Sequence, residues 1–365
     1  MKIRIMLAFA VCMVIGSIGY AEEVRPAPST LQIGPSQVQK APTSIQKETI
    51  KISGPIQVQP NPNIWGGIVA GAEEGKFNNP QGIAINLSLG FVYVADKGNN
   101  RVQQFKTDGS FVKSITIQSP YDVTVDGYGA VYVFSGADCK IYQYSRYLDL
   151  ENSWGGYITS AGETGKFYVP CQIKAAISSD STFYVYASES AANRGSIQKF
   201  KDNGQFVKIW RGNAGFYKPR GIAFGPYMDT ENKTQYVFYV ADEGRHNISI
   251  FSEIKGTLIG YVGSKGSANG QFNSPQDVEL DLLTNVGLPY IYVADTGNNR
   301  IQKFNTHGIY QAQWGSTGTA YGKFKQPRGI AVDRDGNVYV VDSGNNRIQK
   351  FLKADIDKLS QQIVN

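Results

Sequence analysis

Apolar and polar residues follow one another with a period of two through most of the chain after about residue 65. In "YQAQW" (310–314) the two kinds alternate strictly, and in "VYVVD" (338–342) the apolar residues are nearly continuous. Such alternation predicts β-strands with one or both faces buried, whereas a helix needs apolar residues every three to four positions. The sequence therefore predicts short strands joined by tight turns.

The strands recur in a repeated unit. Each unit opens with a Gly-x-Phe-like segment and a proline, followed by a first strand such as "RGIAVD" (328–333). A second strand such as "NVYVVD" (337–342), a Gly-Asn-Asn turn and a third strand such as "RIQKF" (347–351) come next. A fourth strand ends in Trp-Gly, as in "GIYQAQWG" (308–315). Six units open at 75–85, 119–125, 165–175, 215–224, 270–280 and 322–332, and the second is the most degenerate.

Four antiparallel strands per unit form a small sheet with two exposed apolar faces. Packing such sheets radially around an axis buries both faces, which is the propeller solution. A solenoid is the alternative for repeats, but its coils are usually shorter and lack internal hairpin turns. The sequence predicts an all-β, six-bladed β-propeller of four-stranded antiparallel blades.

The ends of the chain predict how the ring closes. The sixth unit stops after its third strand, and "PNIWGG" (62–67) is a Trp-Gly ending that precedes the first unit. We expect residues around 56–65 to supply the outer strand of the last blade. An outermost strand tolerates Pro60 and Pro62, because one of its edges needs no partner.

The Gly-Asn-Asn turn recurs as "ADKGNNRVQQF" (95–105), "ADTGNNRIQKF" (294–304) and "VDSGNNRIQKF" (341–351). Gly and Asn readily take the positive φ that a tight reversal needs. The aspartate can accept hydrogen bonds from turn N–H groups, and the arginine can donate to carbonyls of a neighbouring blade. A structural part is used once per blade, whereas a catalytic group is normally used once per protein, so the turn is interpreted as structural. The aspartates are Asp96, Asp242, Asp295 and Asp342, and the arginines are Arg101, Arg300 and Arg347.

Together these phrases resemble the NHL-repeat family over about residues 65–351. Units one, five and six match its pattern closely, unit four moderately, and units two and three loosely. The resemblance implies a six-bladed propeller with binding surfaces on the faces of the disc. Some similar proteins are enzymes: an amidating lyase that uses zinc, lactonases that use calcium and a streptogramin-opening lyase. One fold hosts many functions, so the resemblance alone does not fix the activity.

The residues give little support for catalysis. The only two histidines, His246 and His307, fall in turns at opposite ends of the predicted strands and cannot share a metal. Asp122 and Asp277 replace a glycine at matching points of first strands and are weak candidates for a calcium site. No Gly-x-Ser-x-Gly elbow or phosphate-binding loop is present. We therefore predict no catalytic residue and no cofactor, with calcium as the open alternative.

The residues favour binding instead. The face that carries the Gly-Asn-Asn turns also carries the starts of the first strands, and Arg and Tyr suit recognition surfaces. We expect an exported, non-enzymatic scaffold that binds a protein or glycan partner on this face. The alternative is a lyase, lactonase or hydrolase that uses the central channel with a divalent metal. The predicted mouth residues are Gln81, Tyr121, Arg220, Gln276 and Arg328, with Arg101, Arg300 and Arg347 further out.

The N-terminus predicts export. Lys2 and Arg4 precede an apolar stretch at 5–19, and cleavage is expected after Ala21. The stretch is shorter than the roughly 20 residues of a spanning helix, and an uncleaved anchor, which would give a membrane association, is the alternative. A secreted, periplasmic or cell-surface location follows. The predicted divisions are a signal peptide at 1–21, a Pro/Ser/Gln-rich flexible spacer at 22–55, the propeller at 56–355 and a tail at 356–365.

Charge and cysteine usage refine this prediction. The net charge of +6 is mild for 365 residues, so we expect no nucleic-acid partner. We also expect a monomer. Export makes a disulfide possible, and Cys139 and Cys171 map to the same face of adjacent blades. They are therefore a candidate pair. Sequons for glycosylation begin at Asn86, Asn232 and Asn247.

Overall fold

The computed structural model confirms the propeller. It describes residues 61–361, except 161–162, 179, 191–194, 212–214, 229–233 and 284–288. The predicted signal peptide and spacer, Pro60 and the sequon at Asn232 lie outside the described residues. Within the described part, the chain forms six four-stranded antiparallel sheets and one short helix.

Blades one to five each use four consecutive strands, paired in chain order. Blade one contains β2 (Ile83–Asn86), β3 (Phe91–Asp96), β4 (Arg101–Lys106) and β5 (Phe111–Thr116). Blade two contains β6 (Pro120–Val125), β7 (Val131–Ser135), β8 (Lys140–Tyr144) and β9 (Leu150–Gly155). Blade three contains β10 (Pro170–Ile177), β11 (Phe183–Glu189), β12 (Ser196–Lys201) and β13 (Phe206–Arg211).

The remaining blades follow the same plan. Blade four contains β14 (Pro219–Met228), β15 (Thr234–Asp242), β16 (Asn247–Ser252) and β17 (Thr257–Val262). Blade five contains β18 (Asp277–Asp281), β19 (Tyr290–Asp295), β20 (Arg300–Asn305) and β21 (Tyr310–Trp314). Blade six contains β22 (Pro327–Val332), β23 (Val338–Asp342), β24 (Arg347–Phe351) and, from the start of the described chain, β1 (Ile64–Gly66). The first strands of successive blades contact one another in a closed ring, which makes them the inner strands.

The predicted closure is confirmed. Strand β1 pairs antiparallel with β24, with Trp65 opposite Ile348. Trp65 is 6% exposed, and its ring stacks on Phe105 of blade one at 5.7 Å and contacts Tyr339 of blade six at 5.4 Å. The same side chain therefore completes blade six and packs it against blade one.

Apolar side chains fill the space between neighbouring blades. Between blades five and six, for example, Tyr292 and Ile301 of one sheet share a buried cluster with Ile330 and Val340 of the next. A corresponding cluster lies between the blades of each of the other five adjacent pairs. Both faces of each sheet are thus buried, as the nearly continuous apolar runs of the second strands require.

A helix covers most of the segment for which only a C-terminal tail was predicted. Residues Lys353–Gln361 form helix α1, which packs against β21. Ile356 of this helix is 2% exposed and belongs to the cluster between blades five and six. No helix in the described ranges has the length and apolar character needed to cross a membrane.

Replacing Trp65 with Ala should lower the free energy of unfolding by about 3–5 kcal/mol, the usual cost of removing a buried large aromatic side chain. Trp65→Phe should cost less, because a ring remains between Phe105 and Tyr339. Chemical denaturation of the three proteins measures the difference. A midpoint for Trp65→Ala equal to that of the parent would show that β1 does not close the ring.

Candidate binding face at the channel mouth

The Gly-Asn-Asn turns are built around a buried carboxylate. In blade six, Asp342 is 0% exposed and accepts hydrogen bonds from Lys325 N (2.7 Å), Asn345 Nδ2 (2.9 Å), Arg347 Nε (2.7 Å) and Gln349 Nε2 (3.0 Å). The same pattern surrounds Asp96 in blade one and Asp295 in blade five. Buried charge is stable only when it is paired and hydrogen-bonded, and the repeat supplies all these donors.

The arginine of the turn binds the loop that enters its own blade. Arg347 donates from its two Nη atoms to the carbonyls of Thr319 (2.5 Å), Ala320 (2.9 Å) and Lys323 (2.8 Å). Arg101 and Arg300 make equivalent bonds to three carbonyls each. Arg300 and Arg347 are only 6% and 2% exposed. These guanidinium groups are committed to backbone carbonyls, which leaves the three arginines little capacity to bind a partner.

The last asparagine of each Gly-Asn-Asn turn has a left-handed backbone conformation and accepts a hydrogen bond from the next blade. Asn100, Asn299 and Asn346 all have φ of 52°. The side-chain oxygen of Asn346 in blade six accepts from Asn79 N of blade one at 2.8 Å, across the ring closure. Asn100 and Asn299 bind the backbone N–H of Ser119 and Gln326 in the same way.

The two histidines have different environments. His246 occupies the left-handed position of blade four with φ of 56°, and its Nδ1 accepts from Ser274 N of blade five at 3.0 Å. It therefore replaces the inter-blade asparagine. His307 lies in the exposed turn between β20 and β21, at the other end of the strands.

The mouth of the channel is lined by one residue from each blade. Each lining residue directly follows the proline that begins the inner-strand segment. The mouth residues are Gln81, Tyr121, Cys171, Arg220, Gln276 and Arg328, and together with Gln172 they enclose a cavity of about 30 Å³. All five mouth residues predicted from the sequence are brought together here. Cys171 and Gln172 were not predicted for the mouth, although Pro170 before them carries the same signal.

Positive charge dominates the mouth. Arg220 pairs with Glu243 at 2.6 Å and donates to the Cys171 sulfur at 3.2 Å. Arg328 Nε is buried without a hydrogen-bond partner in the described structure. Burial, followed by the positive charge of Arg220, lowers the pKa of the Arg328 guanidinium. Two guanidinium groups thus share the mouth with one carboxylate, an arrangement suited to an anionic group.

Two aspartates lie one residue deeper. Asp122 Oδ2 accepts from Ile173 N at 2.9 Å, and Asp277 Oδ2 accepts from Ile330 N at 2.8 Å, each in the following blade. A Cβ on Gly82 would lie 1.8 Å from Asp122 Oδ1, so only glycine leaves room for this carboxylate. Burial, reinforced by the charge of Asp277, raises the pKa of Asp122, and burial raises the pKa of Asp277 to about 7.

A lysine supplies countercharge at the next level. Lys174 Nζ lies 2.5 Å from Glu279 Oε2 across the channel, and its charge also interacts with Asp122 and Asp277. Among the residues the structure describes, no three His, Cys, Asp or Glu side chains are arranged to hold a metal. The weak calcium candidates are therefore engaged in inter-blade hydrogen bonds beside an ammonium group.

The candidate disulfide is not formed, which corrects that expectation. Cys139 and Cys171 are both buried free thiols. Cys139 packs in the apolar cluster between blades two and three, whereas Cys171 lines the mouth beside Arg220. Although the two cysteines lie toward the same face of the disc, Cys139 lies between two sheets and Cys171 lies at the channel mouth.

Comparison with known proteins agrees with the geometry. The fold is a six-bladed β-propeller. The NHL-repeat family matches residues 77–105 and 324–351, which are parts of blades one and six, and the chain is an NHL-repeat six-bladed propeller. No curated protein matches the sequence.

Solved structures with low sequence identity share the fold. A streptogramin B lyase is 15% identical, with 75% of this chain and 93% of that chain covered and a TM-score of 0.51. A gluconolactonase from Xanthomonas campestris is 13% identical, covering 76% and 88%, with a TM-score of 0.55. A protein of unknown function from Bacteroides thetaiotaomicron is 14% identical, covering 79% and 74%, with a TM-score of 0.57. At these identities the likeness concerns the fold alone.

Asn346→Ala should destabilise the protein by roughly 1–3 kcal/mol, because it loses the bond to Asn79 N and places a Cβ-bearing residue without local hydrogen bonding at φ of 52°. Asn346→Gly should cost about 1 kcal/mol less, since glycine adopts this conformation freely. Denaturant unfolding compares the three proteins. An Ala variant as stable as the Gly variant would contradict the conformational part of this account.

Asp277→Asn should flatten the dependence of stability on pH. A carboxyl group with a folded-state pKa of about 7 and an unfolded value near 3.8 contributes stability at low pH that is lost as pH rises through 7. Relative to the Asn variant, the parent should lose on the order of 2–4 kcal/mol of unfolding free energy between about pH 4 and pH 8. Asp335→Asn, on the exposed surface of blade six, is the control. Parallel pH profiles for parent and Asp277→Asn would overturn the prediction.

Proposed function

We propose that this propeller is a non-enzymatic binding scaffold that captures an anionic group of a protein or glycan partner at the channel mouth. The observation that carries the proposal is the pair Arg220 and Arg328, of which only Arg220 has a carboxylate partner among the described residues. A carboxylate or sulfate would accept the unused Arg328 N–H and reduce the repulsion between the two guanidinium groups.

The shape of the mouth favours a group that projects from a larger partner. Its cavity of about 30 Å³ has room for about one water molecule. Pockets for whole small molecules usually measure about 300–1,000 Å³. A carboxylate carried by a side chain, a chain end or a sugar can reach the arginines while the rest of the partner lies on the disc.

Other side chains give the face recognition chemistry beyond charge. Lys97 Nζ lies 3.9 Å from the centre of the Tyr121 ring, which holds this aromatic side chain at the mouth. Gln81 and Gln276 add amide donors and acceptors from two other blades. Aromatic, guanidinium and amide groups from separate blades can therefore contact one partner together.

The alternative, a metal-assisted lyase, lactonase or hydrolase in the channel, has less support. Such an enzyme needs a path from the mouth to a reactive group on the axis. Below the narrow mouth, the Lys174–Glu279 pair spans the channel, and Asp122 and Asp277 bind backbone N–H groups of the next blades.

The proposed setting follows from the sequence. The basic and apolar N-terminal segment at 1–21 supports export to a secreted, periplasmic or cell-surface location. There we propose that the monomer meets its partner, protein or glycan, without a nucleic acid or a cofactor.

Arg328→Gln should remove binding of acidic partners. We expect the full-length protein to bind acidic glycans and acidic peptides in an array more strongly than their neutral counterparts, and the variant to lose at least tenfold in affinity. Arg334→Gln makes the same charge change in the exposed β22–β23 turn, at the other end of blade six, and should leave binding unchanged.

Two results would count against the proposal. Equal binding by the parent and by Arg328→Gln would exclude the mouth as the recognition site. Equal loss in both variants would reduce the interaction to the net charge of the protein, without a defined site.

A further inference from the structure

The interface between blades five and six is covered by a helix of the chain itself. Ile356 of α1 enters the buried cluster that contains Tyr292, and Asp357 pairs with Lys303 at 3.2 Å. The Lys303 ammonium lies 3.9 Å from the centre of the Tyr290 ring. An aliphatic anchor followed directly by an acid therefore fills this groove.

The interface between blades three and four shares part of this lining. Lys199 stands opposite Tyr186 in β12 and β11, as Lys303 stands opposite Tyr292 in β20 and β19. The Lys199 ammonium lies 3.5 Å from the centre of the Tyr184 ring. Trp210 likewise pairs with Ile197 at the position where Trp314 pairs with Ile301.

The groove between blades three and four remains open in the described structure. Its cavity measures about 190 Å³ and is lined by Ser178, Asp180, Lys199, Val207, Lys208, Trp210, Glu253 and Ile254. Ile254 is 71% exposed and Val207 is 42% exposed, so the walls present aliphatic side chains to solvent. An apolar cavity of about 150 Å³ can hold a group as large as benzene, so this one has room for an aliphatic side chain.

The buried polar groups at the floor of the groove are paired with one another, whereas a lysine at its rim has no ion-pair partner in the described structure. Glu253 pairs with Lys199 at 2.5 Å and accepts from Ser178 and Tyr186. Lys208 is exposed on β13, with its ammonium 5.2 Å from the Trp210 ring, and has no ion-pair partner among the residues described. The groove thus carries the Lys208 ammonium beside its aliphatic wall, and the carboxylate of Asp180, which accepts from Thr182 N and Tyr184 Oη, at the β10–β11 turn.

We propose that the groove between blades three and four docks a short amphipathic helix of a partner, with an aliphatic anchor in the cavity and an adjacent Asp or Glu on Lys208. Helix α1 in the equivalent groove supplies the pattern, because it presents Ile356 and Asp357 in this order. Helix-in-groove recognition commonly uses such anchors on one helical face. The site lies at the end of the strands opposite the Gly-Asn-Asn turns, so it is separate from the mouth.

A labelled peptide with the sequence of residues 352–361, LKADIDKLSQ, is the probe, and its fluorescence anisotropy is measured against the full-length protein. A short isolated helix is marginal in water, so weak but saturable binding is expected. Val207→Asp and Ile254→Asp should each weaken it at least tenfold. Lys208→Glu should do the same, and a peptide with both aspartates replaced by Asn should lose affinity to a similar extent.

Gln311→Asp is the matched control, because Gln311 occupies in β21 the position that Val207 occupies in β13. It should leave peptide binding unchanged. Sensitivity to Gln311→Asp but not to Val207→Asp would mean that the peptide exchanges with α1 in the other groove, and would overturn the proposal. Absence of saturable binding, or binding unaffected by Lys208→Glu and by the Asn peptide, would also overturn it. Circular dichroism of each variant establishes that loss of binding is not loss of fold.

Discussion

The buried acid at the end of the second strand, present in five of the six blades, is the constraint on which the architecture depends. Asp96, Asp242, Asp295 and Asp342 are all 0% exposed. A carboxylate in that position would be strongly destabilising unless several donors surrounded it, and the donors come from the turn, the third strand and the incoming loop at once. Satisfying one charge thus fixes the turn, the strand register and the path between blades. Where the acid changes, the local solution changes too: Glu189 in blade three accepts from Tyr168 N and Ser196 Oγ.

The repeated network explains why the mouth can vary. The turns and the inter-blade hydrogen bonds hold each inner strand in place. The residue after the proline therefore contributes little to closure of the ring and can differ from blade to blade. Gln81 and Gln276 show that an uncharged side chain fits this position. The fold therefore does not require arginine at 220 and 328. Two close cations with one carboxylate are more readily explained by binding than by stability.

Much of this could be predicted from sequence, and the reasons for the failures are physical. Repeat number, strand order, the closing strand and five mouth residues all follow from patterns that recur in every unit. The sequence could not show where the side chains of the repeated arginines point, because it does not distinguish an arginine exposed on the surface from one buried against backbone carbonyls. The candidate disulfide failed since sharing a face of the disc does not bring two side chains into one layer. Helix α1 lacked a repeat to mark it, and the Lys174–Glu279 pair joins blades that are not neighbours in sequence.

Departures from the repeat are where the chain carries individual chemistry. At the interfaces of blades six with one and two with three, the glycine of a third-to-fourth-strand turn packs against a tryptophan. A Cβ on Gly109 would lie 2.3 Å from Trp65, and one on Gly204 would lie 2.7 Å from Trp154. At Gly256 the corresponding distance to Trp210 is 3.3 Å, and the turn instead presents Glu253 inward and Ile254 outward. A looser turn leaves apolar surface uncovered, which has a cost in water that a covering partner would remove. The mouth and this groove thus follow the same rule: the repeated residues hold the ring, and the residues that break the repeat leave charge or apolar surface that the ring itself does not pair or cover.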